Sequence, residues 1–153
     1  MPASRSPHIF SMSEALAALQ PDAQVRVLPF AQRGGARADW LIGMKPVHDP
    51  ASVHADYWER HPRGDEVLTL LEGLLQVTVR SDAGAEQSFA LRAGESLVVP
   101  CGHWHRLEVR RPGRLMFVTP AQGSEHRLRA AFPPPTETSS GHKPPNTPSN
   151  PEH

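Results

Sequence analysis

From Val25 to Thr119 the chain is a series of short apolar segments cut at close intervals by glycine, proline and aspartate. The segments read "VRVLPF", "WLIGMKPV", "SVHADYW", "EVLTLL", "LLQVTVR", "SFALR", "SLVVP", "WHRLEV" and "RLMFVT". Between them lie "RGGARA", "HDP", "PRGD", "EG", "SDAGAE", "RAGE", "PCG" and "RPG". Runs of this length bounded by turn residues are strand signals. Many in series, with no helical period between them, predict an all-β sandwich or barrel. A chain of 153 residues suits one such unit around one core.

The flanks read differently. "SMSEALAALQPD" opens on Ser11 with Glu14 three residues later, a capping-box pattern. Met12, Ala15, Leu16 and Leu19 share one helical face and Pro21 ends the run, so a short N-terminal helix is expected. "SEHRLRAAF" suggests a further helical turn. Beyond it, 133–153 is rich in proline, serine and threonine and has no large apolar residue. Such a segment cannot offset its ordering entropy, so a disordered C-terminal tail is expected, with His142 and His153 in it. The expected division is an N-terminal segment over 1–24, a barrel over 25–120, a short extension over 121–132 and the tail.

Charge narrows the function. Lysine plus arginine equals aspartate plus glutamate, 16 each, and there is no basic stripe, which argues against a nucleic-acid partner. No apolar run is long enough to span a bilayer, so no membrane association is expected. The N-terminus lacks the apolar stretch of a secretory signal. Cys101 is the single cysteine and cannot form an internal disulfide, which fits a reducing cytoplasm.

Strand parity then singles out particular side chains. In "HWHRLEVR", Arg106, Glu108 and Arg110 share one face, and His105, Leu107 and Val109 the other. The charged face belongs to water, which turns His105 inward. Before the "PRGD" turn, Tyr57, Glu59 and His61 share a face, with Trp58 and Arg60 opposite. Glu66 begins the next strand in register with Leu68 and Leu70. Each residue alone has an ordinary explanation. His105 can be a neutral imidazole bonded to a carbonyl, Glu66 a partner of Arg63, and Glu59 a solvated edge residue. Together, two imidazoles and a carboxylate turned into one barrel form a metal site with open positions, as in a non-haem iron facial triad.

These residues resemble the cupin superfamily. "HPRGDEVLTLLEG" is similar to that family's first motif, with His61 at its second histidine, Glu66 at its glutamate and Gly73 at its closing glycine. "GESLVVPCGHWH" is similar to the second, with Gly94, Pro100, Gly102 and His105 in register. The resemblance implies a small double-stranded β-helix (jelly-roll) barrel holding one divalent metal ion, and it favours a homodimer. It departs in two places. Glu59 stands where the family has its first histidine, and Val109 where it often has asparagine. With Glu59 included, the ligand set is His61, Glu66, His105 and Glu59, whose oxygens tilt the preference toward iron or manganese, with zinc or nickel tolerable. Otherwise Glu59 is an acid or base beside the metal, and Tyr57 lines the pocket as a donor.

The resemblance allows several functions. One is a metal-dependent enzyme acting on a small organic substrate by dioxygenase, isomerase or lyase chemistry. Others are a ligand- or metal-sensing module, and a metal-free protein using His61 and His105 as acid and base. His103 is expected at the pocket rim or on the surface, and His54 and His48 receive no role. Cys101 is expected in a turn, and Trp58 and Trp104 are expected as core or interface aromatics.

Overall fold

The computed structural model describes residues 5–35 and 37–132. The tail expected over 133–153, with His142 and His153, lies outside the described residues. Nine strands form one antiparallel sheet that curls into the expected jelly-roll barrel. They are β1 (Ala15–Leu19), β2 (Val25–Pro29), β3 (Trp40–Val47), β4 (Tyr57–Arg60), β5 (Glu66–Arg80), β6 (Glu86–Arg92), β7 (Ser96–Val99), β8 (Trp104–Pro120) and β9 (Glu125–Leu128). Among the described residues, no helix is long and apolar enough to cross a membrane.

Two long strands organise the barrel. β5 joins "EVLTLL" to "LLQVTVR", and β8 joins "WHRLEV" to "RLMFVT". They pair along almost their whole length, and the register shifts between Leu70 and Leu75. Gly73 sits at that irregularity with φ +97°, a conformation L side chains rarely adopt. A Cβ there would also meet the carbonyl oxygen of Arg111 at 2.6 Å. The glycine therefore lets both strands bend from one wall of the barrel into the other.

Directly opposed residues in antiparallel strands share a face. One inward row runs from Lys45 through Leu115 to Leu70, and the next from Gly43 through Phe117 to Leu68. On the other wall, Leu107 opposes Val77, and His105 lies between Glu59 and Val79. The core is aliphatic, with Leu16, Leu70, Leu75, Val77 and Leu115 almost fully buried.

Three expected elements change. The N-terminal helix is absent: a single turn, with the N–H groups of Glu14 and Ala15 both donating to the Ser11 carbonyl, leads straight into β1. β1 lies between β2 and β3, burying Leu16 and Ala18, and ladder bonds on both edges outweigh the modest helix preference of an alanine-leucine run. "SVHADYW" begins as a 3-10 turn at Ala51–Val53. There the Ser52 N–H donates to Asp49 Oδ1 at 2.8 Å and its hydroxyl to the Asp49 carbonyl at 2.7 Å, so the strand starts only at Tyr57. "SEHRLRAAF" is a strand first, β9, and a 3-10 turn only at Arg129–Ala131.

Candidate metal centre

Four of the sequence-derived residues meet at one end of the barrel. Glu59 comes from β4, His61 from the residue after it, Glu66 from the start of β5 and His105 from the start of β8. The turn before His105 is fastened to the segment carrying His61. The Gly102 N–H donates to the His61 carbonyl at 3.0 Å, and the Cys101 N–H to Asp65 Oδ1 at 2.7 Å. Gly102, at φ +78°, allows the turn to close. Cys101 is thus a turn residue, as expected, and its thiol donates to the Pro62 carbonyl.

His61, Glu66 and His105 are buried, at 3%, 5% and 3% exposure, although all three are polar. The imidazole rings lie 5.6 Å apart between centroids, tilted by 35°. Glu66 Oε2 is 2.9 Å from His105 Nε2 and 3.3 Å from His61 Nε2. Those separations are short, yet neither ring nitrogen is aligned with the oxygen, and Glu66 Oε2 has no directed hydrogen bond. Glu59 Oε1 lies 3.2 Å from His61 Nε2. The donor atoms of Glu59, His61 and His105 fall within 4.8 Å of one another, a spacing that could hold a metal ion.

The charges of these groups support each other. Burial pushes the Glu66 carboxyl up, but His105 and His61 together hold it at about 2. Burial likewise opposes charge on His105, and Glu66, with Glu59 behind it, raises its pKa on balance. His61 has further partners. Its Nδ1 is 2.8 Å from Ser124 Oγ, and Thr119 Oγ1 is 3.4 Å from its Nε2. The Ser124 contact at Nδ1 leaves Nε2 turned toward the cluster.

Beside the cluster is a cavity of about 910 Å³. Glu59, Glu66 and His105 border it, and Tyr57 lines it as expected while remaining 43% exposed. His54 also lines it, a position given no role from sequence. Trp58 and Trp104 do not: they are buried outside it and pack on Phe132, 6.1 and 5.2 Å between ring centroids. His103 does not line it either; its Nδ1 lies 3.3 Å from the Cys101 carbonyl. Several contributors escaped the sequence reading. Ser124 and Thr119 belong to no motif. His126 opposes Glu59 across the β4–β9 ladder, with Nε2 3.6 Å from Glu59 Oε2. Lys45 and Arg33 also line the cavity. Only strand parity could have pointed to Lys45, which shares the inward face of "WLIGMKPV" with Leu41 and Gly43.

The fold and the two-motif cluster agree with a comparison against protein families, in which the Cupin domain family matches residues 49–120. Residues 49–120 are a cupin domain. Solved cupin structures resemble it in part. A cupin-2 domain protein from Shewanella frigidimarina is 27% identical, with a TM-score of 0.42, covering 54% of this chain and 71% of that one. Oxalate decarboxylase of Bacillus subtilis, a protein with Mn(II) centres, is 17% identical with a TM-score of 0.47. The match covers 60% of this chain and only 24% of the decarboxylase. An oxalate oxidase is 18% identical with a TM-score of 0.46, covering 56% of this chain and 45% of the oxidase. The comparison with curated proteins gives no match.

Proposed function

We propose that this cupin is a metal-dependent enzyme acting on a small organic molecule, with one divalent ion held by His61, Glu66 and His105 and with Glu59 beside them as fourth ligand or general base. The observation that carries this reading is Glu66 Oε2, buried without a directed hydrogen bond and close to two imidazole nitrogens. A buried carboxylate that its imidazole neighbours approach without an aligned hydrogen bond is stabilised further by a cation held between them. Two imidazoles and two carboxylates suit iron(II) or manganese(II), and zinc(II) or nickel(II) also accept such a set. When bound, the ion supplies Lewis-acid or redox chemistry at its open positions.

The chain's own groups do the rest. Ser124 orients the His61 ring so that Nε2 faces inward. Glu59 stands between the buried cluster and the cavity, with His126 on its far side, and is placed to take a proton from a bound substrate. Tyr57 offers a hydroxyl in the same cavity. Oxidative cleavage, isomerisation and lyase chemistry on a carbonyl compound all fit this arrangement.

The test measures oxygen uptake and product formation over a panel of diols, thiols and carbonyl compounds. Protein is used as purified, stripped with chelator, and reloaded with iron(II) or manganese(II). Turnover of at least one compound, lost on stripping and restored by one metal, is expected. Turnover that survives stripping, or none at full metal occupancy, contradicts the proposal.

A further inference from the structure

We propose that the cavity takes an organic carboxylate, its negative group met by Lys45 and Arg33 and its hydrocarbon body lying against Leu107, Leu115 and Phe117. This rests on the metal-site reading above and adds the class of ligand to it.

Lys45 carries the argument. It stands opposite Leu115 in the β3–β8 ladder, in the inward row that continues to Leu70. Leu115 and Leu70 are 1% and 0% exposed, so a lysine in that row has an apolar setting. An ammonium there is costly without a partner. Among the described residues Lys45 has neither an ion pair nor a side-chain hydrogen bond; it borders the cavity, where Glu59 and Glu66 are the anionic groups that act on it. Arg33 reaches the same cavity from the 3-10 turn Phe30–Gly35. Its guanidinium lies 6.0 Å from the Phe117 ring centroid, and it too has no acidic partner among the described residues.

Charge counting gives the sign of the ligand. Apart from the histidines, the charged groups lining the cavity are Arg33, Lys45, Glu59 and Glu66, which balance. A divalent ion held by the two carboxylates uses their charge. Lys45 is then left uncompensated beside a low-dielectric wall, and Arg33 adds a second positive charge from an exposed position. A carboxylate removes that imbalance, and Arg33 can engage both its oxygens. Leu107, Leu115 and Phe117 offer no hydrogen bonds and favour a hydrocarbon body over a polyol.

Binding is read by calorimetry on the full chain, metal-loaded and metal-stripped. The probes are benzoate, 3-phenylpropionate and hexanoate, each against its neutral amide, together with phenyl phosphate. At least one carboxylate should bind the loaded protein about tenfold or more tighter than its amide, the scale of a charged hydrogen bond. Lys45→Met should remove most of that preference, Arg33→Gln part of it, and Lys45→Arg should retain it, with metal content unchanged in all three. Should Lys45→Met fail to fold, Arg33→Gln and Lys45→Arg decide the matter. No carboxylate exceeding its amide, a preference untouched by the variants, or tighter binding of phenyl phosphate overturns the proposal. Failure of the metal reading shows separately, as wild-type protein that takes up no metal. Carboxylate preference in that protein, lost in Lys45→Met, would still support the ligand class, and its absence would overturn it.

Discussion

Ser124 Oγ lies 2.8 Å from Nδ1 of His61, an exposed hydroxyl bonded to a buried ring from 63 residues away. The contact holds the imidazole with Nε2 toward Glu59 and Glu66. Partners of this kind set tautomer and ring orientation, and their loss lowers metal affinity by about 10- to 100-fold. Ser124→Ala should therefore weaken metal binding by about tenfold in a chelator-competition titration. The unfolding midpoint should hardly move, because Ser124 is at the surface. Unchanged affinity would remove Ser124 from the account.

The two carboxylates should separate. Glu66 is buried between both imidazoles, whereas Glu59 lies nearest to His61, at 3.2 Å, and is partly open to the cavity. Glu66→Gln should cost about a hundredfold or more in metal affinity, beyond the scale of an outer hydrogen-bond partner. Glu59→Gln should cost about tenfold and suppress turnover more than binding. The reverse order would make Glu59 the stronger ligand and Glu66 its support.

Acid should weaken the metal-free protein through Glu66. Its carboxyl sits at about 2 in the folded chain, below its ordinary value of 4.5. The folded state thus binds that proton less readily than the unfolded chain. The stabilisation is fully present above pH 4.5 and is lost as the pH falls toward 2. His105, whose pKa is raised, acts oppositely: its share is present below its ordinary value of 6.5 and fades as the pH rises through the folded value. Thermal midpoints of chelator-treated wild type and Glu66→Gln should converge as the pH is lowered from 5 to 3. Parallel curves would mean that the carboxylate does not feel the imidazoles.

Gly43 makes room for Phe117. A Cβ on Gly43 would collide with the Phe117 ring and approach Leu16 Cδ2 to 2.5 Å. Gly43→Ala must displace that ring, Leu16 or both. Overpacking of this kind costs about 1–3 kcal/mol. Denaturant unfolding should show that loss with metal content unchanged. A neutral substitution would show that the ring has free space to occupy.

Much of the barrel was legible because its strands alternate cleanly. The faces of β8 follow from "HWHRLEVR" alone, and they turn His105 inward beside Leu107 as found. Glu66 was legible for the same reason, as a charge in phase with Leu68 and Leu70. β1 misled because "ALAAL" has no strict period, and its conformation is decided by β2 and β3 on either side. Ser124, His126 and Thr119 were hidden because their proximity to the site is made by pairings distant in sequence. His126 reaches Glu59 only through the β4–β9 ladder, and β9 resembled a helical turn. Lys45 sits in a strand that was identified correctly, but a lone lysine in an apolar strand gains meaning only once the cavity beside it is known.

The central claim is that imidazoles and carboxylates from separate strands share one ion, and elemental analysis tests it most directly. Wild-type protein, His61→Ala and His105→Ala are purified without added metal and then titrated with iron(II) or manganese(II). Wild type should carry or take up one ion per chain, and both variants should hold almost none while keeping the β-sheet circular dichroism of the parent. Wild type that refuses metal, or variants that fill as completely as wild type, would contradict the account.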